Sequence, residues 1–358
     1  MDTIQNNTID LVVTSPPYPM IEMWDECFVE QDGQIGKALE DRDGPTAFAG
    51  MHRQLDQVWA ECYRTLRTGG FACINIGDAT RKIGNTFRLY TNHSRITSFC
   101  ESLGFQTLPA VLWRKQTNAP NKFMGSGMLP SGAYVTLEHE YILIFRKGDK
   151  REFDQSLKNR RDRSAFFWEE RNVWFSDIWD FKGTKQTLNH GDARQRSAAF
   201  PFELAFRLIN MYSMQEDFIL DPFVGTGTTI LASMASGRSS IGFELDRTLC
   251  QVIEETICRG AGSINDRQIQ RIRGHEAFLK EYVEKRSHVF EYQNVNHGFA
   301  VMTRQETNLS VPVVAKIRRN ADSDYRAAHS VFSGEFHPVV VEGFNSTSLG
   351  AVQLGLFV

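Results

Sequence analysis

The chain has 358 residues, 41% hydrophobic and 23% charged, an ordinary globular composition with enough length for one large domain or two modest ones. A net charge of −3 gives no global attraction to nucleic acid, so any such partner must be met by a local basic surface. The six cysteines (Cys27, Cys62, Cys73, Cys100, Cys250, Cys258) form no CxxC pair and have no histidines at ligand spacing, which argues against a metal centre and for free thiols in a reducing compartment. With no leader-like segment and no apolar run near ~20 residues, the protein is expected to be cytoplasmic and not membrane-bound.

The first predicted strand is Ile9 to Val13, and it runs into Thr14-Ser15-Pro16-Pro17-Tyr18. Two prolines cannot donate to a ladder, so the strand must stop there. A segment rich in Asp, Gly and Glu from Glu30 to Gly50 reads as a surface excursion. Leu55, Val58, Trp59, Cys62 and Leu66 fall at helical spacing, and Gly69-Gly70 reads as the helix stop. A strand at Phe71 to Ile76, a helix near His93 to Leu103 stopped by Gly104, a strand Phe105 to Trp113, a Gly/Pro/Asn loop to about Thr136 and a strand Tyr141 to Phe145 follow. Alternating strand and helix argues for an α/β layered domain.

Between Lys147 and Trp174 basic residues, including Lys158, Arg160, Arg161 and Arg163, interleave with Phe166, Phe167, Trp168 and Trp174. That mixture suits phosphate contact and base stacking, and equally a solvated linker whose acids cancel its charge. The α/β pattern resumes with a helix Pro201 to Tyr212, strand Phe218 to Leu220, a glycine turn, helix Thr229 to Ser236, strand Ser240 to Phe243 and a helix from Asp246 to about Cys258. Gln268 to Arg273 reads as an edge strand before a helix near Glu276 to Lys285, and short strands follow Ser287.

The turn Asp221-Pro222-Phe223-Val224-Gly225-Thr226-Gly227-Thr228-Thr229 joins a strand to a helix, where open α/β sheets bind nucleotide-like ligands. It is no phosphate-cradling P-loop, because Thr228 stands where the lysine should be. Glu244, roughly twenty residues on at the end of the next strand, suits the ribose hydroxyls of an adenosine ligand. The pair points to an adenosine cofactor without a pyrophosphate.

DPFVGTGTT, GFEL and TSPPY together resemble the S-adenosylmethionine-dependent amino-methyltransferases of DNA, with the motif order of their beta class, over roughly residues 9 to 255. The resemblance implies a Rossmann-like α/β fold, with a mixed, mostly parallel sheet and helices on both faces, an inserted target-recognition region and a small β-rich C-terminal extension. It implies a catalytic part over 1–147, a recognition insertion over 148–188, a cofactor part over 189–286 and an extension over 287–358. Asp221, Phe223, Gly225, Gly227 and Thr228 match the cofactor turn, Glu244 the ribose acid, and Phe200 before Pro201 a cofactor-flanking element. His139 to Leu143 is similar to a further strand motif of the family.

In such an enzyme Ser15 and the Pro16 carbonyl would accept the two hydrogens of an exocyclic amine, Pro17 would help fix that carbonyl, and Tyr18 would stack on a flipped-out base. No cysteine in the motif offers a covalent route. Serine at the first motif position resembles the cytosine-N4 enzymes more than the adenine-N6 enzymes. The expected reaction is therefore N4 methylation of cytosine in double-stranded DNA. Adenine N6, an RNA or protein-amide substrate, and a non-catalytic DNA-binding partner are the alternatives. Lys158, Arg160, Arg161 and Arg163 are the expected DNA contacts, with the Asn118 to Ala133 loop a second specificity candidate. A cognate restriction endonuclease is an expected partner, a monomer or homodimer the expected state, and association with the nucleoid the expected location. Two family features are displaced: Ile272 to His275 is expected to replace a missing Gly-Asp strand, with His275 in place of the acid, and Arg196 to Ala199 stands where a histidine often precedes Phe200, with the nearby His190 expected to be structural or exposed.

Overall fold

The computed structural model describes residues 1–115, 124–183, 200–286, 289–321, 324–335 and 337–344. The expectations for His190, for Arg196 to Ala199, for the first part of the Asn118 to Ala133 loop and for the end of the C-terminal extension lie outside these residues. The chain forms two compact units: Met1–Asn6, Ser15–Asp149 and Ser176–Pro201 make the first, and Asn7–Thr14, Lys150–Phe175 and Phe202–Val358 the second.

In chain order the elements open with β1 (Ile9–Thr14), α1 (Asp25–Gln31), α2 (Gly33–Glu40), α3 (Gly44–Thr65), β2 (Leu66–Ile76), β3 (Ala79–Ile83), β4 (Thr86–Tyr90) and α4 (Asn92–Ser102). There follow β5 (Phe105–Arg114), β6 (Met124–Gly125), β7 (Ala133–Tyr134), β8 (His139–Lys147), α5 (Gln155–Arg163), α6 (Trp168–Trp174) and β9 (Ile178–Asp180). The rest are α7 (Phe202–Tyr212), β10 (Phe218–Asp221), α8 (Thr228–Ala235), β11 (Ser239–Gly242), α9 (Arg247–Gly260), α10 (Asp266–Arg286), β12 (Tyr292–Gln293), β13 (Ala300–Val301), β14 (Pro312–Ala321), β15 (Asp324–Val331) and β16 (Val340–Glu342). This is the α/β class expected.

In the first unit β2 pairs antiparallel with β8 (Phe71↔Arg146 to Ile76↔Tyr141), β8 antiparallel with β5, and β5 parallel with β9. Ile74, Ile76, Ile142, Ile144 and Phe145 bury the sheet, and α3 contributes Leu55, Trp59 and Cys62 to the core. Two expectations fail here. Residues 30–50 are no surface excursion: the acids there cap helices, Asp32 accepting from Gln34 N at 3.0 Å and Asp43 from Thr46 N at 3.1 Å, while Ile35, Ala38 and Ala47 are buried. Gly69-Gly70 does not stop α3 either; the helix ends at Thr65, Leu66 is already extended (ψ 135°), and both glycines lie inside β2 ahead of its ladder to β8.

In the second unit β1 runs parallel to β10 (Leu11↔Ile219, Val12↔Leu220), and β10 parallel to β11 (Leu220↔Ile241). Every residue of β1 is buried, as a strand covered on both faces requires. Its one acid, Asp10, accepts from Phe218 N at 2.9 Å and pairs with Arg151 at 2.9 Å, so the buried charge is compensated. The expected edge strand Gln268 to Arg273 is instead the first half of α10. Gln268, Ile269, Arg271, Ile272 and His275 are buried together, which is the i, i+3, i+4, i+7 face of a helix and not a strand alternation. The C-terminal strands are integral to this unit: β14 pairs with β15 and β16, Asn265 clasps both backbone groups of Val314 at 2.7 and 2.8 Å, and His329 Nε2 lies 2.6 Å from the Met234 carbonyl.

Candidate active site

In the second unit β10 ends at Asp221, which is 2% exposed. Oδ1 of Asp221 accepts from Thr14 Oγ1 at 2.6 Å and from Phe223 N at 3.1 Å, and Oδ2 accepts from Thr229 Oγ1 at 2.5 Å. Burial lifts this carboxyl to about 6 against the pull of those three donors. Asp221, expected as a cofactor contact, thus braces the turn from behind and ties it to the last residue of β1. Parallel pairing brings the ends of β1 and β10 out at one edge, where Thr14, the last residue of β1, is bonded to Asp221.

The turn itself is shaped by backbone. Gly225 (φ +54°) and Gly227 (φ +87°) take left-handed conformations, and Gly227 precedes the first turn of α8. Val224 N donates to the Phe243 carbonyl at 3.0 Å, and Gly225 N donates to Glu244 Oε2 at 2.9 Å. The other Glu244 oxygen accepts from Asp246 N at 2.9 Å. Burial raises Glu244 above the ordinary carboxylate value, while the N–H groups of Asp246, Gly225 and Leu245 oppose that rise. Each Glu244 oxygen keeps lone pairs for further donors, such as two ribose hydroxyls. No basic residue occurs between Asp221 and Thr229, which suits a nucleoside whose charge is a sulfonium and not a pyrophosphate. Phe223 and Thr228 are half-buried at the turn, and Phe200 is buried ahead of α7 in the other unit.

In the first unit Pro16 is buried and Ser15, Pro17 and Tyr18 are half-buried. Behind them stands a polar cluster that sequence reasoning missed. Tyr18 Oη donates to Glu140 Oε2 at 2.8 Å, Asn75 Nδ2 donates to Glu140 Oε2 at 2.7 Å and to Tyr18 Oη at 2.8 Å, and Ser15 Oγ donates to Tyr18 Oη at 3.2 Å. The Lys115 ammonium pairs with Glu140 Oε1. In the sequence Glu140 stands out only as part of a strand motif, and Asn75 only as the penultimate residue of a buried strand. Gly77, just past β2, packs so closely on Tyr18 that an added Cβ would lie 2.9 Å from Cε2. Asn92 then ties the loop down by donating to the carbonyls of Pro19 (3.1 Å) and Gly77 (2.9 Å).

A family model described as DNA methylase matches residues 9–255. The chain belongs to this DNA methylase family. The methylase is 50% identical over 313 residues to the Type II methyltransferase M.MthZI of Methanothermobacter thermautotrophicus, covering 86% of each chain. It is 50% identical over 268 residues to the Type II methyltransferase M.MjaI of Methanocaldococcus jannaschii, covering 72% of this chain and 88% of that one. Among solved structures, a putative DNA modification methylase of Thermus thermophilus in complex with S-adenosyl-L-methionine is 30% identical, with a TM-score of 0.55 over 72% of this chain and 88% of that chain.

The basic and aromatic stretch of the methylase is arranged otherwise than its composition suggested. Arg151 pairs with buried Asp217 at 3.0 Å, Arg160 binds the same carboxylate and approaches Glu216 at 3.9 Å, and Arg163 pairs with Glu216 at 3.0 Å. Arg160, expected on DNA, is therefore a half-buried structural cation. Phe167 (0% exposed) and Trp174 lie in the core and cannot stack on bases. Lys158, Arg161 and Arg163 remain exposed, with Arg161 over the Phe153 ring. His275, expected in place of the acid of the missing Gly-Asp strand, is buried on α10, stacked on Phe167 at 4.2 Å and bonded to Glu169 at 2.8 Å and to the Ala300 carbonyl at 2.9 Å. The Glu169 carboxylate and the Ala300 carbonyl raise its pKa against burial, and its ring packs inside the unit against Phe167 and Phe299. Among the described residues no group of three metal-ligating side chains occurs, and no helix is long and apolar enough to cross a membrane.

Proposed function

We propose that this methylase transfers a methyl group from S-adenosylmethionine to the exocyclic N4 of cytosine in double-stranded DNA, at a defined sequence and on a flipped-out base. The observation that carries the reading is the bond from Thr14 to Asp221, which ties the last residue of β1 to the strand end that opens the glycine turn. The bound cofactor supplies an electrophilic sulfonium methyl. Glu244 would hold the ribose, Gly225 and Gly227 would admit the nucleoside close to the backbone, and Asp221 would hold the turn in shape.

An amino nitrogen conjugated to a pyrimidine ring is a poor nucleophile, because its lone pair is shared with the ring. Acceptors at Ser15 Oγ and the Pro16 carbonyl would draw its two hydrogens out of the ring plane and free that pair. The freed pair would take the methyl group, the cofactor leaving as a neutral thioether, and one amino proton would then pass to water. Tyr18 would stack on the extruded base, offsetting roughly a few kcal/mol of unstacking. The neutral serine supports cytosine N4 over adenine N6. The names of the two 50% identical relatives support a role as the modification partner of a restriction endonuclease. Lys158, Arg161 and Arg163 are our DNA-phosphate candidates. Incubation with labelled S-adenosylmethionine and DNA of varied sequence, followed by digestion to nucleosides, should yield N4-methylcytosine. N6-methyladenine would overturn the target base, and unlabelled DNA would overturn the reading.

A further inference from the structure

With Asn75 Nδ2 turned to Glu140, the cluster behind Ser15 has one consistent order of protons. Glu140 is 8% exposed, carries Lys115 on one oxygen and receives Tyr18 and Asn75 on the other. A carboxylate so paired only accepts, so the single Tyr18 proton must go to it. The Tyr18 oxygen can then only accept, and it does so from Asn75 at 2.8 Å and Ser15 at 3.2 Å. Asn75 Nδ2 has two protons, and its two short contacts to Glu140 and Tyr18 use both, leaving its 3.4 Å approach to Ser15 Oγ without one. The single Ser15 proton is thus turned to Tyr18, and the lone pairs of Oγ are left to accept.

We propose that Glu140 is a positioning residue that, through Tyr18, locks Ser15 as a hydrogen-bond acceptor and thereby selects an amino group against a ring carbonyl at the methylation site. The inference rests on the methylase reading above and deepens it. A base that presents a carbonyl edge, as thymine and uracil do, would meet lone pair against lone pair at Ser15. Burial, and the negative charge of Glu140 beside it, hold the Tyr18 hydroxyl well above its usual pKa, so the donor is present throughout the neutral range.

Glu140→Gln tests the lock without changing shape. Lys115 would hold the amide oxygen, so the amide N–H groups would face Tyr18, and Tyr18 would turn its proton onto Ser15. Single-turnover methyl transfer to DNA is expected to slow at least about tenfold, with affinities for S-adenosylmethionine and DNA within about twofold of the parent. Tyr18→Phe keeps the stacking ring and removes the relay, so it should lower kcat about tenfold at unchanged KM for DNA. Because both changes act through one hydroxyl, the double variant should be no slower than Tyr18→Phe alone. Full activity in Glu140→Gln, or losses that multiply in the double variant, would overturn the proposal. Should Glu140→Gln not fold, Tyr18→Phe decides alone, and a parental kcat there would overturn it. An active parent with an unchanged variant defeats only the lock, whereas a parent that never methylates DNA defeats the underlying reading as well.

Discussion

The glycine turn after β10 and the Ser15 loop after β1 leave neighbouring parallel strands, yet they are held in opposite ways. The turn is shaped by main chain, with two left-handed glycines, the Val224 to Phe243 bond, and Glu244 accepting from the backbone of Gly225. The loop contains no glycine from Thr14 to Met20. Three prolines restrict it, and a relay of side chains from Glu140 through Tyr18 sets the hydroxyl that matters. If the turn holds the cofactor, it should tolerate side-chain chemistry and not an added Cβ. If the loop holds the substrate, it should be sensitive to a single exchanged proton.

The buried acid that braces the glycine turn and holds the last residue of β1 should break the comparison most severely. Asp221→Ala strips acceptors from Thr14, Thr229 and Phe223 N together, and we expect a stability loss of roughly 3 kcal/mol with both cofactor affinity and methyl transfer reduced, read by denaturant titration and calorimetry. Asp221→Asn should cost less, since an amide can accept from Thr14 and donate to Thr229. The same pair gives a pH test. The folded carboxyl sits at about 6, above its ordinary 3.8, so the folded state binds the proton more tightly. That contribution to stability is full below about pH 4 and is lost as pH rises through about 6; Asp221→Asn should flatten the stability curve over this window.

Next in size is the contrast between two adjacent arginines. Arg160→Ala leaves Asp217 short of a cation and should destabilise the fold by roughly 2 kcal/mol, whereas Arg161→Ala should leave stability within about 0.5 kcal/mol. Only the second is a clean probe of DNA binding, where a shallower salt dependence of affinity is the expected result. Smaller still, Gly227→Ala forces a side chain into φ +87° with its Cβ 3.1 Å from Ile253 Cγ2. It should cost roughly 1–2 kcal/mol, most visibly as weaker cofactor binding.

The turn and its acid were readable in the sequence because they are local. Gly225, Gly227 and Glu244 do their work within one strand–turn–helix–strand passage, where spacing is structure. The opening strand and its proline stop were readable for the same reason. The relay was not: Tyr18 meets Asn75 and Glu140 only after the chain has crossed two sheet strands, and neither residue stands out in an apolar strand. Arg160 of α5 was not legible as a structural cation because a charge run reads the same whether water or a distant aspartate such as Asp217 receives it. Gln268 to Arg273 reads as an edge strand in sequence, yet Ile269 and Ile272 stand at helical spacing and Gln268, Arg271 and His275 are buried with them, and tertiary partners such as the Ala235 carbonyl, Glu170 and Glu169 make that burial tolerable.

The most direct measurement is the single-turnover rate of methyl transfer to DNA by Ser15→Ala at saturating S-adenosylmethionine, alongside its affinity for that cofactor. We expect the rate to fall about a hundredfold while cofactor affinity stays within about twofold of the parent, because the hydroxyl serves the amine and the turn serves the nucleoside. A parental transfer rate in Ser15→Ala would contradict the account.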